Sequence, residues 1–189
     1  METGNYSQTQ KAFDDEALNP DGIFNKSLTE CDRLSIEFLK GYAQDWMQVL
    51  EIGCGKGNVI EALAGNKTAV DLSPEMLKEC AIKNKQVANM DALPFDDESF
   101  DLTYMIMTFQ HSKDREKTLS EMNRVTKEGG WMVIIDGDKD SGIGKIREQG
   151  VEAGTWPRVG DAHWIYREDF PEWEAKHLAE HILCLFKKK

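Results

Sequence analysis

The sequence predicts an α/β fold, a doubly wound and mostly parallel sheet with helices on both faces. Three observations carry that prediction. The apolar run Val49-Leu50-Glu51-Ile52 closes on glycines at alternate positions, Gly53, Gly55 and Gly57, which reads as a buried strand ending in a turn made by backbone alone. A second apolar run, Thr68-Ala69-Val70, ends on Asp71. It lies about 20 residues beyond Glu51, the separation at which an acid at the tip of the next strand accepts from the hydroxyls of a ribose. Strand-like and helix-like segments alternate five times, which implies right-handed crossovers and a ligand site at the carboxyl ends of the strands.

The elements follow in order. Residues 1–25 are polar, with Asn19-Pro20-Asp21-Gly22 reading as a turn, and form either a disordered tail or an arm. Ser27-Leu28-Thr29-Glu30 reads as a capping box, followed by Leu28, Cys31, Leu34 and Phe38 at helical spacing. After the first strand and the glycine turn, Asn58 to Leu63 is a short helix. After Asp71, Ser73 is an N-cap with Pro74 at the first helical position, and Met76, Leu77, Cys80 and Ala81 form one apolar face. A third strand is expected over Val87–Met90, ending on Asp91, and a fourth over Asp101–Met107, with the turn-rich loop 93–99 between them. A helix starts near Asp114, Gly129-Gly130 ends the connection, and Trp131–Ile135 is the fifth strand, closing on Asp136.

The C-terminal part is less regular. It is glycine-rich after Asp136, then reads as a helix over Glu168–Glu180 and a last strand over Ile182–Phe186. That leaves one clear member of a closing pair at the sheet edge, unless residues 163–167 supply the other. On a helix, His177, His181 and Cys184 would fall near one face as potential metal ligands, but only two are at strict helical spacing and no fourth is evident, so no metal is assigned.

Composition narrows the function. At 189 residues the chain has the size of one domain, divided here into an N-terminal arm and helix (1–44), a ligand-binding core (45–137) and a variable segment (138–189). A formal charge of -11 and a pI of about 4.9 would repel a phosphate backbone, and no stripe of lysine and arginine overcomes this, so nucleic acid is not the expected partner. No apolar run reaches the length of a membrane span and the N-terminus lacks a basic-then-apolar leader, so a cytoplasmic location is expected. Cys31, Cys54, Cys80 and Cys184 form no C-x-x-C pair and read as reduced thiols. Within the loop, Cys54 is either a small residue that suits the turn or a reactive thiol.

The glycine pattern is Gly-x-Gly-x-Gly rather than the Gly-x-Gly-x-x-Gly of pyrophosphate sites. With Glu51 ahead of it, the pattern resembles the first motif of the class I S-adenosylmethionine-dependent methyltransferases, whose sheet is Rossmann-like. The similarity continues through Ala69-Val70-Asp71-Leu72-Ser73-Pro74-Glu75-Met76, then Asp91-Ala92-Leu93-Pro94-Phe95 with Ser99-Phe100-Asp101-Leu102, then Glu121-Met122-Asn123-Arg124-Val125 with Gly129-Gly130. These segments look most like the broad group that includes the ubiquinone and menaquinone biosynthesis methyltransferases, and the match spans about Val49 to Asp136.

The resemblance implies S-adenosylmethionine as cofactor, S-adenosylhomocysteine as product and a small-molecule acceptor, on a monomer or homodimer. It places the methionine part of the cofactor on Gly53, Cys54, Gly55 and Gly57, with Glu51 and Met107 nearby, and the ribose on Asp71. It places the adenine amino group on Asp91 beside Ala92, with Leu72 and Met76 against the base. The N-terminal arm would be a lid, with Tyr6 and Phe13 as its aromatics. His111, just past the fourth strand, is the candidate general base, or else a residue that caps the next helix. Trp156, His163, Trp164 and Tyr166 are the candidate acceptor wall, or else core packing under a long loop. The fourth strand carries no Asn/Asp-Pro-Pro-aromatic motif and no Pro-Cys nucleophile appears, which disfavours base methylation. Two alternatives stay open: a non-catalytic S-adenosylmethionine-binding protein of the same fold, and a nicotinamide-dependent oxidoreductase.

Overall fold

The computed structural model describes residues 6–19, 29–141 and 165–189, together with Gln149 and Glu152. Seven strands form one sheet: β1 (Gln48–Ile52), β2 (Asn66–Asp71), β3 (Asn84–Val87), β4 (Phe100–Ile106), β5 (Thr126–Gly137), β6 (Glu174–Ala179) and β7 (Ile182–Lys188). Their order is β3-β2-β1-β4-β5-β7-β6, parallel from β3 to β5 and antiparallel where β7 and β6 join. The order reverses between β1 and β4, and an open α/β sheet holds its ligand above that switch point.

Central strands are covered on both faces and so read as continuous apolar runs. Val49, Leu102, Tyr104, Val133 and Ile135 belong to one buried cluster, with Ile36 and Leu39 of α2 (Glu30–Leu39) and Leu77 of α4 (Pro74–Glu79). Leu50, Ile52, Met105 and Ile134 belong to the other, with Met122 and Val125 of α5 (Arg115–Val125). Among the described residues, α1 (Ser7–Leu18) packs against α4, and α3 (Asn58–Glu61) follows the glycine loop.

Several boundaries differ from the sequence reading. The capping box of α2 lies two residues later than expected. Thr29 is the N-cap, its Oγ1 accepting from Asp32 N–H at 3.1 Å while Asp32 accepts from Thr29 N–H at 2.8 Å. The third strand is Asn84–Val87 rather than Val87–Met90, a short and mostly exposed edge strand whose lysine and glutamine side chains give no apolar signal. The fifth strand begins directly at the end of α5 and contains Gly129-Gly130. Its pairing with β4 jumps from Phe100↔Thr126 to Leu102↔Trp131, so the glycines form a bulge instead of ending a connection. At Gly130 a Cβ would stand 2.9 Å from the carbonyls of Asp101 and Lys127.

The C-terminal helix expected over Glu168–Glu180 is absent. A 3-10 turn spans Arg167–Asp169, and Glu174–Ala179 is β6, hydrogen-bonded along β7 in an antiparallel hairpin. Glu-Ala-Lys-His-Leu-Ala is rich in helix formers, yet a ladder to β7 overrides local propensity. β6 therefore supplies the second member of the closing pair; of the segment 163–167, residues 163 and 164 lie outside the described residues and Ile165 makes an isolated bridge to Asp138.

Candidate functional site

β1 delivers the chain into a loop with three left-handed glycines, Gly53 (φ 74°), Gly55 (φ 53°) and Gly57 (φ 80°). Gly53 and Cys54 both donate to the carbonyl of Val70, at 2.8 and 3.0 Å, which folds the loop back over the tip of β2. A Cβ on Gly53 would stand 2.3–2.4 Å from the Thr108 side chain beyond β4, so the switch point leaves no room for one. A Cβ on Gly55 would meet nothing within 4 Å. Gly55 is the place where a ligand can lie against bare backbone.

Two acids anchor this loop. Glu51 is buried, and its Oε2 accepts from the N–H of Ile60 at 3.2 Å and the hydroxyl of Tyr104 at 3.3 Å, tying α3 to β1. Burial pushes its carboxyl well above the usual range. Asp71 accepts from Gly55 N–H at 2.7 Å through one oxygen and from Ser73 N–H at 2.8 Å through the other. Burial raises its pKa too, against the lowering effect of the Ser73, Gly55 and Leu72 N–H groups. A carboxylate offers about four lone-pair sites, so Asp71 retains acceptor capacity beyond these backbone donors for a ligand hydroxyl.

Above the strand tips lies a cavity of about 320 Å³. Glu51, Gly53, Cys54, Gly55, Asp71, Leu72, Met76, Met107 and His111 all line it, so sequence spacing and topology converge on one place. Tyr6, Thr9 and Phe13 of the N-terminal segment form its cover. The Tyr6 hydroxyl donates to Asp91 at 2.6 Å and accepts from Lys113 N–H at 2.9 Å, and Asp14 accepts from the hydroxyl of Ser73.

Gly57, Asp91 and Ala92 are not brought to the wall. Gly57 is turned toward Cys80. Asp91 is 1% exposed, its oxygens taken by Tyr6 and by the Thr118 hydroxyl, and Ala92 is exposed to solvent. Asn89 and Met90 stand on the wall instead, because β3 ends at Val87 and the residues just past its tip face the ligand side. Sequence reading missed them through its late placement of that strand. It also missed Thr29, Cys31 and Asp32 at the start of α2, and Thr108 and Gln110, all of which line the cavity.

His111 ends the 3-10 turn Phe109–His111. That turn is fixed from below by Asp136, fully buried at the end of β5, which accepts from Gln110 N–H at 2.9 Å and Gly137 N–H at 2.8 Å. Desolvation pushes Asp136 up to about 7. The His111 ring meets Phe13 edge-on at 5.4 Å between centroids. Met107, just ahead of the turn, has φ 49°, a strained conformation for a side chain of its size and one that collects at ligand sites.

Of the expected acceptor residues, Trp156, His163 and Trp164 lie outside the described residues. Tyr166 lies away from the cavity wall, with the Lys139 ammonium 4.4 Å from its ring centre. The His177, His181 and Cys184 grouping dissolves, since these residues lie on a hairpin rather than a helix, and His177 Nε2 is 2.7 Å from Asp138 Oδ2. Among the described residues no group of three or more His, Cys, Asp or Glu is arranged to hold a metal, and no helix is long and apolar enough to cross a membrane.

Residues 50–134 match a family model described as a methyltransferase domain. A malonyl-[acyl-carrier protein] O-methyltransferase of Erwinia billingiae is 37% identical over 118 residues, covering 58% of this chain and 47% of the relative. A ubiquinone/menaquinone biosynthesis C-methyltransferase of a Geobacter species is 33% identical over 105 residues, covering 47% of this chain and 45% of the relative. The chain thus spans about half the length of the curated relatives it matches. In fold it is similar to an S-adenosylmethionine-dependent methyltransferase of Thermotoga maritima, with a TM-score of 0.66 at 21% identity, covering 84% of this chain and 92% of that one. The glycine loop, the acid at the tip of β2, the strand order and these matches agree. Residues 50–134 thus match a methyltransferase domain on a class I methyltransferase fold, and the relatives they resemble, the ubiquinone and menaquinone biosynthesis enzymes among them, support S-adenosylmethionine as the cofactor.

Proposed function

We propose that this protein transfers a methyl group from S-adenosylmethionine to a small-molecule acceptor held beneath the N-terminal helix. The observation that carries the reading is the bare backbone of Gly55 beside the Asp71 carboxylate on one cavity wall. The site fits the cofactor. Gly53 to Gly55 would hold its methionine part, Asp71 the ribose hydroxyls, and Leu72, Met76, Asn89 and Met90 the base. When bound, the cofactor supplies an electrophilic methyl on a sulfonium.

The chain's own work is to position and to exclude water. Tyr6, Thr9 and Phe13 close the cavity from above, and Asp136 holds the turn that presents His111 and Gln110. His111, on the cavity wall, would take a proton from a hydroxyl, thiol or carbon acid. The acidic surface favours a small acceptor over a nucleic acid.

Isothermal titration of S-adenosylmethionine and S-adenosylhomocysteine into the protein, followed by methyl-transfer assays on quinols, phenols, thiols, carboxylates and amines, tests the reading. Tight cofactor binding with turnover of one class supports it. Cofactor binding without turnover on any class would point to the non-catalytic alternative, and no binding by folded protein would end the proposal.

A further inference from the structure

Two buried polar side chains on the cavity wall carry hydrogen-bonding capacity that the fold does not use. Gln110, 4% exposed, donates from Nε2 to the carbonyl of Met107 at 3.1 Å. A carbonyl only accepts, so this bond fixes which end of the amide is nitrogen and turns Oε1 the other way. Among the described residues nothing donates to that oxygen. Thr9 of α1 is 6% exposed, and its hydroxyl likewise has no partner among the described residues.

The only fully enclosed side-chain nitrogen or oxygen without a partner among the described residues is His181 Nδ1. The Gln110 oxygen and the Thr9 hydroxyl therefore keep access to solvent. Both residues line the cavity and are otherwise covered, so that access is the cavity itself.

The two belong to one seam, between α1 and the turn after β4. Phe13 lies one helical turn beyond Thr9, and its ring meets that of His111, the neighbour of Gln110, at 5.4 Å. Tyr6, ahead of Thr9, accepts from Lys113 N–H at 2.9 Å and closes the other end of the seam. Phe13, Ile106 and Met107 supply apolar surface beside it. The charge on the wall is mainly acidic: Asp32, Glu51 and Asp71 line it, while Lys56, the one lysine or arginine among the described lining residues, is paired with Glu79 at 3.4 Å.

We propose that the seam between Thr9 and Gln110 is the acceptor subsite, selecting a neutral amine or hydroxyl on an apolar body over a carboxylate. This deepens the methyl-transfer reading above and rests on it. The acceptor's N–H or O–H donates to Gln110 Oε1, and the Thr9 hydroxyl, which can donate or accept, makes the second bond. An amide oxygen is too weak a base to take a proton, so Gln110 orients the group and proton removal stays with His111. A carboxylate has no proton to offer. It would leave Oε1 a buried acceptor without a donor and set its own charge against the acids of the wall.

Four small aromatic probes, phenol, aniline, anisole and benzoate, test the subsite when titrated into the full chain by ligand-observed NMR, with and without S-adenosylhomocysteine. Phenol and aniline carry a donor, anisole has none and benzoate is anionic. The two donors are expected to bind roughly tenfold more tightly than anisole, with benzoate weaker still. The tighter of the two assigns the subsite to a hydroxyl or to an amine. Gln110→Leu should bring the ratio of phenol to anisole affinity close to one, and Thr9→Val should lower it by roughly threefold. A general loosening of the fold would weaken both probes alike, and the Tm of each variant reports it separately.

Equal binding of phenol and anisole, tighter binding of benzoate, or no binding of phenol and aniline at about 10 mM would overturn the subsite. So would a ratio that both variants leave unchanged. Failure of the parent to bind S-adenosylhomocysteine would count against the methyl-transfer reading alone, since the probe ratios in the protein without it still decide the subsite.

Discussion

The carboxylate of Asp71 reaches from the tip of β2 to the N–H of Gly55, 2.7 Å away, so the residue expected to receive the ribose also holds the loop expected to receive the methionine group. A defect at Asp71 should therefore appear at both ends of the ligand. Asp71→Ala is expected to lower S-adenosylhomocysteine affinity by about 10- to 100-fold, which titration calorimetry reads directly. Unchanged affinity would place the ribose elsewhere.

Gly53 and Gly55 share a left-handed backbone but differ in what surrounds them. Gly53→Ala forces a methyl into Thr108 and is expected to destabilise the fold by about 2–4 kcal/mol, seen as a lower Tm. Gly55→Ala meets no neighbour, so its stability loss should be about 1 kcal/mol, while cofactor binding falls more steeply. Equal effects of the two changes would mean that Gly55 does not face the ligand.

Asp136 makes stability depend on pH in a defined direction. Its folded pKa, about 7, lies above its ordinary 3.8, so between those values the folded state keeps a proton that the unfolded state has released. Stability is thus lost as pH rises from 4 to 7 and is flat above that, with an upper bound of about 4 kcal/mol from this residue. Asp136→Asn should flatten that slope in urea titrations across the range, whatever its offset. A slope as steep as the parent's would assign the effect to other buried acids such as Glu51 and Asp71.

Tyr6 fastens the N-terminal helix through its hydroxyl, shared by Asp91 and Lys113 N–H. Tyr6→Phe removes the donor to a buried carboxylate and is expected to weaken docking of that helix by about 1–3 kcal/mol. Limited proteolysis should then cleave the N-terminal segment faster, and S-adenosylhomocysteine should dissociate faster, with the global Tm changed little. A proteolysis rate equal to the parent's would mean the helix is held by its contacts with α4 instead.

The sequence alone determined the parallel core, because buried parallel strands are apolar throughout and their glycine, Pro74 and Ser73 punctuation is local chemistry. Glu51, Gly53, Gly55 and Asp71 were legible for the same reason: loop conformation and strand length fix their spacing. Tertiary structure decided what depends on partners far along the chain. β6 is a strand because β7 pairs with it, despite a composition that favours helix. β3 is a polar edge whose limits only its pairing with β2 reveals, so Asn89 and Met90, rather than Asp91 and Ala92, face the cavity. Asp91 instead joins Tyr6 to Thr118, partners 85 and 27 residues away. Local backbone preference can be read from neighbours, but a hydrogen bond between distant residues exists only once the chain has closed around it.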